Sequence, residues 1–177
     1  MEKIAYFEVG IEGENYVGGI MITDVRGIPI EFKYTDPIKP TKIQKILYGA
    51  VLEKYLREEI IIKNLVGKLE TKPDIYIIND NKNIELEKYV KKNVVLVKKT
   101  QLKEFSNVKE KKDINESEML FQMNEGESPL RLLFGEKGIS RKEEILETLI
   151  QAKENIDLIE PLERMREALR MLCNGEL

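Results

Sequence analysis

The stretch KIAYFEVGIEGENYVGGIMITDVRGIPIEFKYT, residues 3–35, contains three runs of strand-forming residues separated by two short turns. The runs are 3–11, 16–24 and 28–35, and such short turns join antiparallel strands. The third run alternates apolar and polar residues, whereas the first two are apolar on both faces. The pattern predicts a meander whose third strand lies at an edge and whose first two strands are covered on both sides.

A helix, a strand, a short helix and a second strand are predicted after the meander. Helical spacing of apolar residues predicts a helix over 41–57, continued by a second helical piece over 58–70. The apolar runs 74–80 and 93–97 are typical of buried parallel strands, and the pattern of 83–92 predicts a short helix. Two strands that flank a helix in this way form a crossover unit.

The rest of the chain divides into a charged segment and a more apolar part. Residues 99–118 are charge-rich and weakly periodic, which predicts a linker or loop. Residues 119–123 and 130–134 predict a hairpin, and two amphipathic helices follow it. We therefore predict an α/β core over 1–98, the linker, and a C-terminal unit over 119–177 that packs on the core.

The composition excludes several classes of protein. The chain has no histidine, which removes Ser-His-Asp and Cys-His catalysis and every imidazole metal site. The single cysteine, Cys173, allows no internal disulfide and fits a reducing compartment. With no spanning segment and no leader in the sequence, we expect a cytoplasmic protein. Abundant Lys, Glu and Ile suggest a thermophilic or AT-rich source.

Charge is distributed unevenly along the chain. Residues 36–112 carry 18 basic and 11 acidic side chains, whereas residues 113–177 carry 8 and 15. Either the basic central part faces nucleic acid or an acidic protein, or the acidic C-terminal part docks on it. A homodimer is also expected, because the terminal helices have enough apolar surface to pack against a second copy.

The helix start within DPIKPTKIQKILYG, residues 36–49, combines a cap with several lysines. Thr41 and Gln44 match a capping box. Lysines at this end oppose the helix dipole, so they are solvated, paired with acidic neighbours, or facing an anion. A second basic run lies further along the chain. The candidate anion-binding or nucleic-acid-binding residues are Lys39, Lys42, Lys45, Lys91, Lys92, Lys98 and Lys99.

Two carboxylates occupy unusual positions for charged groups. Glu8 lies inside an apolar strand, and a turn centred on residues 13–14 places it opposite Gly19 and next to Gly18. Asp80 ends a buried strand, where ligands gather in open α/β sheets. A buried carboxylate must be paired, protonated or bound to a metal. The alternatives are a metal site, or a paired structural Glu8 with a turn-forming Asp80.

The order of elements over residues 3–97 resembles the ribonuclease H-like superfamily. The resemblance implies a mixed sheet with strand one beside strand four and strand three at an edge. It also implies that Glu8 and Asp80 hold Mg²⁺ or Mn²⁺ for phosphodiester cleavage, with Glu53 as a further catalytic carboxylate. Two features depart from the family: strand one carries glutamate in place of aspartate, and the late acidic residue of a C-terminal helix has no clear counterpart.

These observations lead to two predictions of function. The main prediction is a non-enzymatic binding or adaptor protein that uses its basic central surface and needs no cofactor. The alternative is a nuclease or phosphodiesterase that depends on a divalent metal and uses the strand carboxylates.

Overall fold

The computed structural model describes residues 2–153 and 157–176, and within these residues eight strands form one mixed sheet. The strands are β1 (Ile4–Glu12), β2 (Asn15–Thr23), β3 (Pro29–Tyr34), β4 (Ile75–Ile78), β5 (Asn93–Lys98), β6 (Lys111–Asn115), β7 (Glu118–Phe121) and β8 (Leu130–Phe134). Their order across the sheet is β3-β2-β1-β4-β5-β8-β7-β6.

The meander has the predicted arrangement and register. β1 pairs antiparallel with β2, and Glu8 lies opposite Gly19. β3 pairs with β2 on one side only, so it is an edge strand as its alternation predicts. β1 also pairs in parallel with β4, and β4 with β5. The predicted neighbourhood of the first and fourth strands is therefore confirmed.

The predicted long helix is one helical run with several changes of geometry. It consists of α1 (Lys42–Tyr48), a 3₁₀ turn (Gly49–Val51), α2 (Leu52–Tyr55), a π-helical segment (Leu56–Ile62) and α3 (Lys63–Gly67). The capping box is present: the Gln44 N–H donates to Thr41 Oγ1 at 3.2 Å, and the Thr41 N–H donates to Gln44 Oε1 at 2.8 Å. Gly49 has φ +52°, a value that glycine adopts without strain, where α1 ends.

The apolar stripe of α1 is not part of the core. Ile43, Ile46 and Leu47 are 68–79% exposed, and the helical run becomes buried only from Leu56 onward. Periodicity therefore identified a helix face correctly, although that face does not contact the sheet in this chain.

The C-terminal hairpin extends the sheet and brings a further strand with it. β8 pairs antiparallel with β5, and β7 pairs with both β8 and β6. β6 lies inside 99–118, so the prediction of a linker or loop is wrong at residues 111–115, which form a strand. All five of its side chains are exposed. An edge strand of this kind lacks the apolar alternation by which a strand is recognised.

Helices cover the sheet on both faces. A 3₁₀ helix (Asn81–Lys88) joins β4 to β5, and α4 (Glu136–Ile139), α5 (Lys142–Lys153) and α6 (Glu160–Cys173) follow β8. Pro161 lies in the first turn of α6, where its missing backbone N–H costs no helical hydrogen bond. No helix among the described residues is long and apolar enough to cross a membrane.

The glycine pair in β2 separates the two faces of the sheet. A Cβ atom on Gly18 would lie 2.1 Å from Ile61 Cγ2 of the π-helical segment, and one on Gly19 would lie 3.0 Å from Leu169 Cδ2 of α6. We call these the π face and the α6 face. The two glycines therefore allow the protein's own helices to approach β2 closely, one on each side of the sheet.

Candidate functional site

Glu8 lies in β1 just beyond its parallel pairing with β4, and Asp80 follows the end of β4. The β1–β4 register aligns Tyr6 with Ile77, and its continuation puts Glu8 level with Asn79, one residue before Asp80. The Asn79 Nδ2 donates to the backbone carbonyl of Val97 at 2.9 Å, which ties this loop to β5. The predicted positions of Glu8 and Asp80 therefore meet in space.

Glu8 is a buried carboxylate with one cationic partner. It is 5% exposed, and its Oε2 accepts a hydrogen bond from Arg166 Nη2 of α6 at 2.7 Å. Burial raises the pKa of the Glu8 carboxyl, the Arg166 guanidinium opposes that effect, and the charge of Asp80 adds to it. Glu8 and Asp80 thus interact electrostatically, and Arg166 compensates the ionised form only in part.

Asp80 has a structural contact that the sequence anticipated. It caps the 3₁₀ helix, and its Oδ1 accepts a hydrogen bond from the Lys82 N–H at 2.9 Å. This is the turn-forming arrangement that the Asp80-Asn81 pair suggests. The hydrogen bond orients the carboxylate, which lies close enough to raise the pKa of Glu8.

Glu53 is surrounded by cations and is separated from this pair by its own contacts. Its Oε1 accepts hydrogen bonds from Lys82 Nζ at 2.8 Å and from Arg57 Nη2 at 3.0 Å. These bonds, first that of Lys82 and then that of Arg57, lower the pKa of the Glu53 carboxyl. In residues 2–153 and 157–176, no group of three or more His, Cys, Asp or Glu side chains is placed to hold a metal ion.

The predicted anion-binding lysines fall at three separate places. Lys39 and Lys45 both pair with Glu14, at 3.4 Å and 2.9 Å, and through these contacts they lower its pKa. Lys91 and Lys92 precede β5 and so lie at the opposite edge of the sheet, roughly 20 Å from its carboxyl end. The structure therefore separates these two lysines from the carboxylates.

Lys98 and Lys99 lie at the same edge as Asp80. With Arg131 and Asn81 they line a cleft of about 600 Å³. Lys98 is the register partner of Arg131 across β5 and β8, so two cations lie side by side on the sheet. Arg131 pairs with Glu118 at 2.7 Å, which offsets part of their repulsion. The cleft combines positive charge with direct proximity to the Asp80 loop.

Sequence analysis did not identify three residues that shape the site. Arg166 is 158 positions from Glu8, and Arg131 belongs to a strand whose pairing with β5 is not readable from periodicity. Lys82 follows Asp80 closely but carries no pattern that links it to Glu53. The i,i+4 spacing of Glu53 and Arg57 is a usable signal, because such pairs meet on one helix face.

Comparison with known proteins identifies the fold. No family model and no curated sequence matches this chain. The Bacillus subtilis endonuclease V structure matches with a TM-score of 0.60, 16% identity, and coverage of 99% of this chain and 83% of that one. An endonuclease V D234N from Ciona intestinalis, in complex with a 23mer DNA containing an inosine followed by a ribo-adenosine, matches with a TM-score of 0.61, 14% identity, and 98% and 86% coverage.

The chain has a ribonuclease H-like fold. The element order over residues 3–97 predicted this fold, and the hairpin and final helices belong to the same match. A ribonuclease H-like part of Marinitoga piezophila Argonaute, in complex with 5′ OH guide RNA, also matches, with a TM-score of 0.51 and 13% identity. The match covers 99% of this chain and 31% of the Argonaute.

The comparison corrects the main prediction of function. Several matched structures, from Bacillus, Ciona and Streptomyces avermitilis, are endonuclease V proteins matched over 98–99% of this chain. The prediction of a non-enzymatic binding or adaptor protein is therefore wrong, and the findings favour the nuclease alternative. The absence of histidine is compatible with this alternative, because carboxylates need no histidine to hold a hard cation.

Proposed function

We propose that this protein is a divalent-metal-dependent nuclease that cleaves phosphodiester bonds in nucleic acid, with Glu8 and Asp80 at its centre. The observation that carries the proposal is the buried Glu8 carboxylate, which interacts with Asp80 at the carboxyl edge of a ribonuclease H-like sheet. A buried carboxylate with a second, exposed carboxylate beside it favours binding of a cation.

The donor set fits one hard cation. Mg²⁺ usually takes one or two protein carboxylates and completes its coordination with water and substrate phosphate. Glu8 and Asp80 would hold such an ion, whereas Glu53 is engaged by Lys82 and Arg57. A bound Mg²⁺ or Mn²⁺ supplies an activated water and neutralises charge on the phosphate. Among the described residues, Glu8 and Asp80 have no third His, Cys, Asp or Glu side chain grouped with them to hold a metal ion.

The basic residues of the same edge would hold the substrate. Lys98, Lys99 and Arg131 line the cleft beside the Asp80 loop, and cations in such a position bind the phosphates of a strand. Lys99 also pairs with Asp157 at 3.6 Å, a contact that a phosphate would replace. This arrangement supports nucleic acid as the substrate class.

A cleavage panel tests the proposal. Labelled single-stranded DNA, duplex DNA and RNA are incubated with the wild-type protein in Mn²⁺ or in chelator and resolved on a denaturing gel. We expect cleavage of at least one substrate in Mn²⁺ and none in chelator. Binding that weakens with salt, without cleavage in Mn²⁺, would contradict the proposal.

Self-association stays a prediction, and α1 offers a surface for it. Its exposed aliphatic residues repeat at helical spacing, so the same stripe on two copies can pack in a two-fold arrangement. Ile46→Glu in this stripe is expected to convert a dimer to a monomer in light scattering. An unchanged mass at high concentration would exclude α1 as the contact.

A further inference from the structure

The Arg166 side chain starts from a well-fixed backbone position. Leu162, Met165 and Leu169 of α6 are at most 1% exposed and belong to the core of the α6 face. Near the start of the helix, Arg164 Nη2 donates to the backbone carbonyl of Gly27 at 2.9 Å. Contacts on both sides of Arg166 hold α6 to the sheet. The backbone from which the Arg166 side chain extends is therefore fixed relative to Glu8.

Arg166 differs from the other arginines of α6 in its partner. Arg164 and Arg170 each form an ion pair with a glutamate of their own helix. Arg166 reaches the sheet instead, where its Nη2 donates to Glu8 Oε2 at 2.7 Å. The carboxylate of this pair is buried and the guanidinium faces solvent, because the Glu8 side chain is 6% exposed and that of Arg166 is 54% exposed.

The guanidinium retains donors for a second partner. Of its five N–H groups, the hydrogen bonds between described residues use one at Arg166. The planar fork of arginine binds phosphate oxygens through paired N–H groups, and it keeps its charge at every working pH. Arg166 can therefore hold Glu8 and a phosphate oxygen at the same time.

The formal charges beside Glu8 leave a place for a further positive group. Glu8, Asp80 and a phosphodiester each bring one negative charge, and one divalent cation compensates only two of them. A guanidinium fixed beside Glu8 compensates the third.

We propose that Arg166 contacts the phosphate of the substrate and takes the place of a second cation, so that the site accepts a phosphodiester monoanion with one divalent ion. The inference rests on the proposed nuclease function. It adds a residue that touches the substrate and specifies how many metal ions the site holds.

The first test measures binding in the absence of metal. Fluorescence anisotropy of the labelled oligonucleotides, in chelator at low salt, compares the wild type with Arg166→Gln and Arg166→Lys. Arg170→Gln is the matched control, since Arg170 lies one turn further along and pairs within its own helix. Thermal melts confirm that each variant is folded.

We expect Arg166→Gln to weaken binding about tenfold, which corresponds to one charged hydrogen-bonding contact. Arg166→Lys should lose less, and Arg170→Gln should stay within about twofold of the wild type. Equal losses for Arg166→Gln and Arg170→Gln would reduce Arg166 to one charge among many. Absence of wild-type binding at low salt would also overturn the inference.

The second test counts metal ions by electron paramagnetic resonance of free Mn²⁺ during a titration. We expect one bound Mn²⁺ per chain in the wild type, and two would show that Arg166 does not replace a cation. Failure of the two proposals is distinguishable. A wild type that cleaves, with unchanged binding in Arg166→Gln, rejects only the role of Arg166, and binding through Arg166 without cleavage rejects only the nuclease.

Discussion

Two of the predicted catalytic carboxylates, one on each side of the sheet, differ in burial, in the number of their cationic partners and in the direction of their pKa shift. On the α6 face, Glu8 is buried with one cation, and burial raises its pKa. Beside the π face, the half-exposed Glu53 has two cations, which lower its pKa. A carboxylate that is short of positive charge attracts a metal ion, whereas one already satisfied by lysine and arginine does not. The difference favours Glu8 over Glu53 as a ligand of the proposed metal site.

The largest expected effect separates the two carboxylates in catalysis. Glu8→Gln should lower the rate of Mn²⁺-dependent cleavage by at least about 100-fold, since loss of outer partners alone costs 10- to 100-fold at metal sites. Glu53→Gln should change it only a few-fold. Single-turnover cleavage of the same oligonucleotide measures both. Comparable losses in the two variants would place Glu53 among the metal ligands and break the comparison.

The next effect concerns packing on the two faces. Gly18→Ala should lower the free energy of unfolding by about 1–3 kcal/mol, because the new methyl group overlaps Ile61 Cγ2 of the π-helical segment. Gly19→Ala should cost less, because its new methyl group would lie 3.0 Å from Leu169 Cδ2 and 3.2 Å from Phe32 Cε2, contacts that need a smaller shift. Urea denaturation of both variants makes the comparison. A larger loss in Gly19→Ala would show that α6 is the more rigid neighbour.

The dependence of stability on pH gives Glu8 and Arg166 effects of opposite sign. The folded pKa of Glu8 is raised, so the wild type carries a stability penalty above that pKa and loses it at lower pH. Glu8→Gln should therefore be at least as stable as the wild type at neutral pH, with the difference vanishing below the unfolded pKa. Thermal melts across this range check the sign.

Arg166→Gln should behave in the opposite way. It leaves the buried Glu8 carboxylate without its cation, which costs about 1–3 kcal/mol at neutral pH. The cost should disappear as pH falls below the folded pKa of Glu8, because both proteins then carry the protonated acid. A pH-independent loss would mean that Arg166 acts through packing of its aliphatic stem.

The smallest expected effect belongs to Glu53. Glu53→Gln should cost only about 0.5 kcal/mol at neutral pH, because its ion pairs are partly solvated. The folded pKa is lowered, so this contribution is present above the unfolded pKa and is lost as pH falls through the folded pKa. Chemical denaturation at neutral and acidic pH measures it. A loss of several kcal/mol would contradict this account, because it would show that the ion pairs of Glu53 contribute much more to stability than partly solvated pairs do.

The part of the site that lies within the meander was predictable from sequence. Strand alternation and a short turn set the register that puts Glu8 opposite Gly19, since a slip by one residue would reverse every side chain. The edge position of β3 and the place of Asp80 after a buried strand follow from the same local patterns.

Contacts between distant segments were not predictable. Arg166 resembles any arginine on the polar face of an amphipathic helix until α6 is docked on the sheet, and only then does it meet Glu8. The exposed face of α1 is a related case, because periodicity shows which residues share a face but not what covers that face.

Manganese-dependent cleavage by the wild type and by Asp80→Asn tests the central claim most directly. Asp80 raises the pKa of Glu8 by its charge, and Asn keeps its size and capping oxygen while removing that charge. We predict that the wild type cleaves nucleic acid in Mn²⁺ and that Asp80→Asn stays folded without cleaving. Equal cleavage by both proteins would contradict a site built on Glu8 and Asp80.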